Sequence, residues 1–157
     1  MTANARRIGV VMDPIESISP KKDSTLAMLL EASRRDMEIH YMLQSDLKLL
    51  AGEAIGRSRL LTVRDDEHDW FDVGAEAEIR LGELDAILMR KDPPFDMEYV
   101  YTTYILGRAE ASGALIVNRP QALRDMNEKA FTAWFPQCAP RTLITRTMSE
   151  MKAFLSE

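Results

Sequence analysis

The sequence predicts an α/β fold built on a mainly parallel β-sheet with helices on both faces. Short apolar runs typical of buried strands recur along the chain, and helical segments follow them. Strand and helix alternate in this way at residues 8–12 and 23–35, at residues 85–90 and 97–112, and again from residues 114–118 onward. Parallel strands need a crossover connection, which is usually a helix, so this alternation indicates a Rossmann-like domain.

Polar residues mark where the two long helices begin. Asp23 or Ser24 is placed to cap the first helix, and Asp96 is placed to cap the second. Tyr101 and Tyr104 share one face of the second helix. We interpret these tyrosines as core packing rather than as a stacking platform for a ligand.

The middle of the chain carries further β patterns. Residues 39–43 (IHYML) predict a strand, in which we interpret His40 as a core or edge histidine rather than a ligand. Residues 46–50 have a short, locally helical pattern. Residues 55–63 and 70–79 predict two strands around a polar connection, which together form a β-hairpin-like insertion.

The C-terminal stretch combines a helix signal with shorter patterns. Asp125 and Glu128 have the spacing of a capping box, so we expect a helix that carries Lys129. Residues 141–145 predict a strand, and residues 149–155 predict a helix.

Composition and charge narrow the classes of function. The chain has 157 residues, 46% of them hydrophobic, and a net charge of −5, which argues against a nucleic-acid partner because such a partner needs a basic face. The one cysteine, Cys138, cannot form an internal disulfide. No apolar run is long enough for a membrane span, and no signal-peptide pattern is evident, so we expect a cytoplasmic protein with no membrane contact.

The most informative local pattern is the run MRKDPPFD at residues 89–96. Two consecutive prolines stiffen the turn that follows a predicted strand, and they hold Arg90, Lys91 and Asp92 at the end of that strand. Ligands of open α/β sheets bind at the carboxyl edge of the strands. The run therefore predicts a binding turn, and the alternative is a solvated turn with incidental charges.

Several common site motifs are missing from the sequence. It contains no GxGxxG, Walker A, HExxH or CxxC pattern and no serine in a nucleophile elbow. The strand ends instead gather Asp13, Lys22, Arg90, Lys91 and Asp92. Such a set suits a small anionic or zwitterionic ligand, because arginine grips a carboxylate through two parallel hydrogen bonds. The alternative is that Arg90 pairs with Asp13 or Asp92 and only fastens the strand ends.

Three long runs resemble the opening part of bacterial glutathione synthetases. They are IGVVMDPIESISPKKDSTLAMLLEASRR, ILMRKDPPFDMEYVYTTYIL and LIVNRPQALRDMNEKAFTAWF, in family order over nearly the whole chain. The resemblance implies an ATP-grasp carbon–nitrogen ligase that uses ATP and Mg²⁺ to join γ-glutamylcysteine to glycine through an acyl phosphate. It also implies a homo-oligomer, with a pre-ATP-grasp substrate domain over residues 1–125 and the start of the central ATP-grasp portion over residues 126–157.

The resemblance implies roles for individual residues. Lys22 and Arg90 match positions that line the peptide-substrate site, with Asp13 and Asp92 as further candidates beside them. Lys129 matches the first nucleotide-binding lysine of the family, placed to meet an ATP phosphate. The alternative for Lys129 is an exposed helix lysine.

The resemblance also sets what this segment should lack. The family's second nucleotide-binding lysine, glycine-rich loop and metal-binding carboxylates follow the matched region, so we expect no catalytic or metal-binding residue within residues 1–157 and no activity from this segment alone. Two alternatives are a stand-alone ligand-binding or regulatory module without catalysis, and an ATP-grasp ligase with a different acceptor. The length of the matched runs argues against the second of these.

Overall fold

One seven-stranded sheet forms the centre of the computed structural model, which describes residues 5–126 and 129–156. The strands are β1 (Arg7–Val11), β2 (Glu38–Met42), β3 (Leu47–Leu50), β4 (Glu53–Val63), β5 (Phe71–Arg80), β6 (Ala86–Met89) and β7 (Leu115–Val117). The α-helices are α1 (Ser24–Arg34), α2 (Met97–Ala111), α3 (Pro120–Asp125) and α4 (Met148–Leu155). The predicted α/β, Rossmann-like fold is confirmed.

The sheet has a parallel part and an antiparallel part. Strands β2, β1, β6 and β7 lie side by side in that order and are parallel. Strand β4 pairs antiparallel with β2, β3 and β5. The pairing of β4 with β5 is the predicted β-hairpin-like insertion. In sequence, the antiparallel strands β3, β4 and β5 lie between β2 and β6, which are the second and third parallel strands.

One buried face of the sheet packs against α1. Val10 of β1 and Ile39 and Tyr41 of β2 form a continuous apolar cluster with Leu26 and Leu29 of α1. Ile39 and Tyr41 are two residues apart on β2, and Val10 lies opposite Tyr41 on β1, so all three point to the same side of the pleated sheet. The N-terminus of α1 is fixed by Asp23, whose side chain accepts a hydrogen bond from the Leu26 N–H at 2.7 Å.

The opposite face packs against α2. A Cβ atom at Gly9 of β1 would lie 2.8 Å from Leu84 Cδ1 and 3.2 Å from Ile87 Cγ1, so this face is filled directly beneath the strand. Helix α2 buries Leu106 and Ala109 and contacts β3, β4 and β7. Its predicted cap is also confirmed, since the Asp96 side chain accepts from the Tyr99 N–H at 2.9 Å. Helices therefore cover both faces, as predicted.

The helical prediction for residues 46–50 is wrong. A 3₁₀ helix spans only Gln44–Asp46, and the chain then continues as β3. Ala51 and Gly52 have φ values of 50° and 82°, which make a tight turn that returns the chain as β4. Pairing with β4 therefore overrides the local preference of this segment.

The C-terminal predictions have mixed outcomes. Helix α4 confirms the helix predicted at residues 149–155. The strand predicted at residues 141–145 is wrong, since these residues form no backbone pairing with another strand. Asp125 ends α3 rather than capping the next helix, and Asn127 and Glu128 of the proposed capping box lie outside the described residues.

The chain divides into two compact units, Met1–Gln121 and Ala122–Glu157. The first unit contains the whole sheet. In the second unit a 3₁₀ helix at Ala130–Trp134 stacks Phe131 on Trp134, and Arg141 lies 5.0 Å from the centre of the Phe154 ring. Across residues 5–126 and 129–156, none of the helices is both long enough and apolar enough to cross a bilayer.

Candidate functional site

A polar cavity of about 530 Å³ lies at the carboxyl edge of the parallel strands. Every substrate-binding candidate from the sequence lines it: Asp13, Lys22, Arg90 and Asp92. Strands β1 and β6 are parallel neighbours with Val11 opposite Met89, so the residues that follow the two strands meet at one edge. The N-terminus of α1 reaches the same edge and contributes Ser24 and Thr25 to the lining.

The Asp13 carboxylate holds the proline turn in place. Its Oδ1 lies 2.9 Å from the Lys91 ammonium, and its Oδ2 accepts the Asp92 backbone N–H at 2.9 Å. The Lys91 ammonium also donates to the Asp92 carbonyl at 2.6 Å. From the sequence we expected the two prolines to make this turn rigid. The structure shows a second cause, which is the ion pair and hydrogen bond that Asp13 forms with the turn.

An aromatic pair anchors the far end of the turn. The rings of Phe95 and Tyr99 lie 5.3 Å apart, and Tyr99 stands in the first turn of α2. Burial raises the pKa of Tyr99, and the nearby Lys91 ammonium opposes that rise. The proline turn is thus held at its start by Asp13, which follows β1, and at its end by Tyr99 of α2.

Arg90 is bound through its backbone and along one edge of its side chain. Its N–H donates to the Val11 carbonyl at 2.7 Å, which extends the pairing of β6 with β1. Its Nε donates to Thr25 Oγ1 at 3.1 Å, and its Nη2 donates to Ser24 Oγ at 2.8 Å. The pairs with Asp13 or Asp92 that the sequence left open do not form, and no described carboxylate faces this guanidinium.

Lys22 is a second cation without an anionic partner among the described residues. Its neighbour Lys21 pairs with Glu67 at 2.8 Å, whereas Lys22 is exposed and lines the cavity. The cations at the cavity wall are Lys22, Arg90 and Lys91, and the anions are Asp13, Asp23 and Asp92. This balance suits a ligand that carries both a carboxylate and an ammonium group.

A second cavity, of about 520 Å³, shares Asp13 and Lys91 with the first. Its remaining lining comes mostly from residues 43–47 and from α2, including Tyr101. The sequence placed Tyr101 and Tyr104 in the core, but they are 62% and 50% exposed. That prediction is wrong because α2 is apolar around most of its circumference, so the pattern does not identify the buried side.

Lys129 lies in the second compact unit. It is exposed, immediately precedes the 3₁₀ helix Ala130–Trp134, and accepts a hydrogen bond from Thr132 Oγ1 on its carbonyl at 2.6 Å. The described residues do not fit Mg²⁺, because no three carboxylate, histidine or cysteine side chains among them come together as ligands.

Sequence reasoning missed the hydroxyl partners of Arg90. Ser24 and Thr25 were considered only as part of a helix start, although a helix that follows β1 must begin at the same sheet edge where β6 ends. That topological rule was the available signal. The ion pair between Asp13 and Lys91 was missed as well, because the sequence analysis assumed that all of these charged side chains were available to a ligand.

Comparison with known proteins shows the family to which this chain is similar. The family described as prokaryotic glutathione synthetase, N-terminal domain, matches residues 7–124. A curated glutathione synthetase of Vibrio parahaemolyticus serotype O3:K6 is 57% identical over 151 residues, which cover 96% of this chain and 48% of that protein. That of Salmonella typhimurium is 57% identical over 148 residues, covering 94% of this chain and 47% of that protein. That of Yersinia pestis is 54% identical over 151 residues, covering 96% and 47%.

The chain spans about half the length of the curated relatives that it matches. The matched region contains the parallel strands, both sheet-covering helices and the whole polar cavity. This chain therefore belongs to the prokaryotic glutathione synthetase family, as its N-terminal domain.

Proposed function

We propose that this domain supplies part of the peptide-substrate site of a glutathione synthetase, the ATP-dependent ligase that joins γ-glutamylcysteine to glycine. The observation that carries the proposal is the Arg90 guanidinium, which lines a polar cavity and faces no described carboxylate. A partly buried cation without a counterion favours an anionic ligand. γ-Glutamylcysteine carries carboxylates and an amino group, which match the mixed charges of the wall.

The cavity suggests a role for each candidate residue. Arg90 and Lys22 bind a carboxylate of the peptide, and the Asp92 carboxylate accepts from its amino group. Asp13 borders the same space; its two bonds to the proline turn leave further lone pairs for a substrate donor. The positive end of the α1 helix dipole lies at the same edge and favours a bound anion.

The nucleotide part of the reaction is assigned by similarity. We propose that Lys129 meets an ATP phosphate, that residues 1–125 form the substrate domain, and that residues 126–157 begin the ATP-grasp portion. Mg²⁺ supplies charge neutralisation during phosphoryl transfer in such ligases. By similarity, the metal-binding carboxylates of the family follow the matched region, so we expect residues 1–157 alone to form no glutathione. We further propose a cytoplasmic homo-oligomer.

The test is Arg90→Lys in the full-length synthetase that carries this domain. A lysine ammonium cannot reproduce the planar fork of arginine, so the transition-state stabilisation calculated from kcat/KM for γ-glutamylcysteine should fall by about 1.5–3 kcal/mol, the range for a hydrogen bond to a charged group. The KM for ATP and the melting temperature should stay close to those of the parent enzyme.

The matched control is Arg35→Lys. Arg35 is an exposed arginine that pairs with Glu31 at 2.7 Å, and its replacement should change neither substrate constant. A lower melting temperature for Arg90→Lys, with unchanged peptide constants, would mean that Arg90 only fastens the strand ends. Peptide binding without turnover by the full-length protein would favour the ligand-binding module instead.

A further inference from the structure

The guanidinium of Arg90 is held along one edge only. An arginine side chain has five N–H donors in a plane, and the Nε–H and one Nη2–H lie along the same edge. These atoms are the ones that bond to Thr25 Oγ1 at 3.1 Å and to Ser24 Oγ at 2.8 Å. The two hydroxyls therefore fix both the position and the rotation of the guanidinium plane.

The second edge of the same group is left for a ligand. It consists of one N–H from Nη1 and the remaining N–H of Nη2, and no acceptor among the described residues faces it. Two parallel N–H groups on this edge match the two oxygens of a carboxylate. Because Arg90 lines the polar cavity, a carboxylate in that cavity meets a fork whose orientation is already set.

Hydroxyl partners serve this purpose better than carboxylates. A hydroxyl satisfies an N–H without neutralising the positive charge, whereas an aspartate in its place would compete with the ligand. Asp23, the N-cap residue of α1, accepts the Leu26 N–H at 2.7 Å and forms no hydrogen bond or ion pair with Arg90. Thr25 is itself only 4% exposed and stands in the first turn of a helix, so its hydroxyl has little freedom to move.

We infer that Thr25 and Ser24 are positioning residues for the peptide substrate, and that they act through Arg90. The inference rests on the proposed role of Arg90. The competing explanation is that the two hydroxyls only satisfy a partly buried arginine and stabilise the fold. The two explanations differ in which constant changes when a hydroxyl is removed.

The main variant is Thr25→Val in the full-length synthetase, which removes the hydroxyl and keeps the shape. We expect kcat/KM for γ-glutamylcysteine to fall about tenfold through a higher KM, with the KM for ATP unchanged, because the guanidinium loses one of its two fixed acceptors. Thr25→Ser should restore most of the loss. Ser24→Ala should cost about threefold, since water can replace this exposed hydroxyl.

The matched control is Thr103→Val. Thr103 is a buried helix threonine on α2 whose hydroxyl donates to the Val100 carbonyl at 2.6 Å. Its replacement should alter the melting temperature at most and leave the peptide KM unchanged. A rise in peptide KM with this variant equal to that of Thr25→Val would overturn the inference, because any lost helix hydroxyl would then have the same effect.

A double-mutant cycle separates this inference from the proposed function. In an Arg90→Met background, Thr25→Val should cost less than about twofold, because its effect passes through the missing guanidinium. An equal loss in both backgrounds, or a lower melting temperature with unchanged peptide KM, overturns the positioning role. If Arg90→Met itself leaves peptide use unchanged, the proposed function fails. Should Thr25→Val not fold, the same cycle with Ser24→Ala decides.

Discussion

Arginines at two places on this sheet face different partners. Arg57 and Arg59 of β4 converge on Asp46, at 2.7 and 3.1 Å, and the Asp46 side chain is completely buried. Arg90, at the end of β6, faces two hydroxyls and no described carboxylate. The first arrangement neutralises the guanidinium groups within the protein, and the second leaves the charge of Arg90 in place.

The environment of Asp46 shows what the first arrangement achieves. Burial alone would raise the pKa of Asp46, but the Leu43 N–H at 2.8 Å and the two guanidinium groups outweigh burial and lower that pKa. The arginines of β4 thus allow a buried charge to bridge the 3₁₀ helix and the hairpin. We therefore expect the two arginines beside the buried Asp46 to stabilise the fold, and we expect Arg90, beside hydroxyls, to be available to a ligand.

Removing the buried carboxylate should have the largest effect. Asp46→Asn removes the buried counterion that Arg57 and Arg59 share and should lower the free energy of unfolding by about 3 kcal/mol, near the lower limit for breaking a buried ion pair. Urea unfolding of the full-length protein measures this. Asp72→Asn is the control, because Asp72 pairs with Arg64 at the exposed end of the hairpin and its loss should barely shift the midpoint. Equal shifts would mean that burial of Asp46 contributes nothing.

Exchanging the arginines themselves tests the contrast directly. Arg59→Met should lower the free energy of unfolding by roughly 1–3 kcal/mol, because it removes a charged hydrogen bond to Asp46 and the ion pair to Glu76 at 3.0 Å, and it should leave peptide kinetics unchanged. Arg90→Met should lower kcat/KM for the peptide and leave the free energy of unfolding nearly unchanged. Denaturation midpoints and steady-state kinetics on the same preparations measure both. If each variant changes both properties equally, the distinction between the two environments fails.

A smaller effect is expected from Asp13→Asn. Asparagine still accepts the Asp92 N–H, but the ion pair with Lys91 is lost; both side chains are partly exposed, so the cost in stability should be about 0.5–1 kcal/mol. Peptide kcat/KM should fall about threefold because the proline turn is less firmly held. Melting curves beside kinetics test this prediction. A stability loss as large as that of Asp46→Asn would place Asp13 among the structural carboxylates.

The smallest effect concerns His40, which is buried as the sequence predicted. Its Nδ1 lies 2.8 Å from Ser58 Oγ, and its Nε2 lies 2.7 Å from Glu38 Oε1. Burial lowers the pKa of His40, although Glu38 opposes this. As the pH falls, His40 therefore becomes protonated in the unfolded chain, where a histidine pKa is about 6.5, at a higher pH than in the folded chain.

Stability should consequently fall as the pH drops below that value toward the folded-state pKa of His40, and this contribution should be fully present above it. Melting temperatures between about pH 7.5 and 5.5 measure the slope, and His40→Gln should flatten it. A slope that persists unchanged in His40→Gln would assign it to other groups.

Local pattern and one topological rule were enough to predict most of the charged residues of the cavity. A strand end at Asp13 and another at Arg90 and Asp92 follow from short apolar runs closed by turn residues. Parallel neighbours place such ends together. The hydroxyl partners of Arg90 did not follow, because Ser24 and Thr25 lie 66 and 65 residues away in sequence and their contact depends on the packing of α1.

The wrong predictions share a cause in tertiary structure. Strand β3 has a helical local pattern, and only its pairing with β4 across the turn at Ala51 and Gly52 makes it a strand. The exposure of Tyr101 likewise depends on which side of an evenly apolar helix meets the sheet. Both outcomes depend on contacts with residues distant in sequence, so local sequence patterns could not predict them.

The bonds that shape the polar cavity also determine when it can form during folding. The Asp92 N–H reaches Asp13 across 79 residues, and the Arg90 side chain reaches Thr25 across 65. No segment of the chain can assemble the cavity from local structure, and it exists only after β6 has docked beside β1, which is a slow type of contact to close. A ligand of this cavity would therefore bind only after this part of the sheet has formed. At one hundred times its Kd, a ligand that binds only there would add about 2.7 kcal/mol to the free energy of unfolding of the first compact unit.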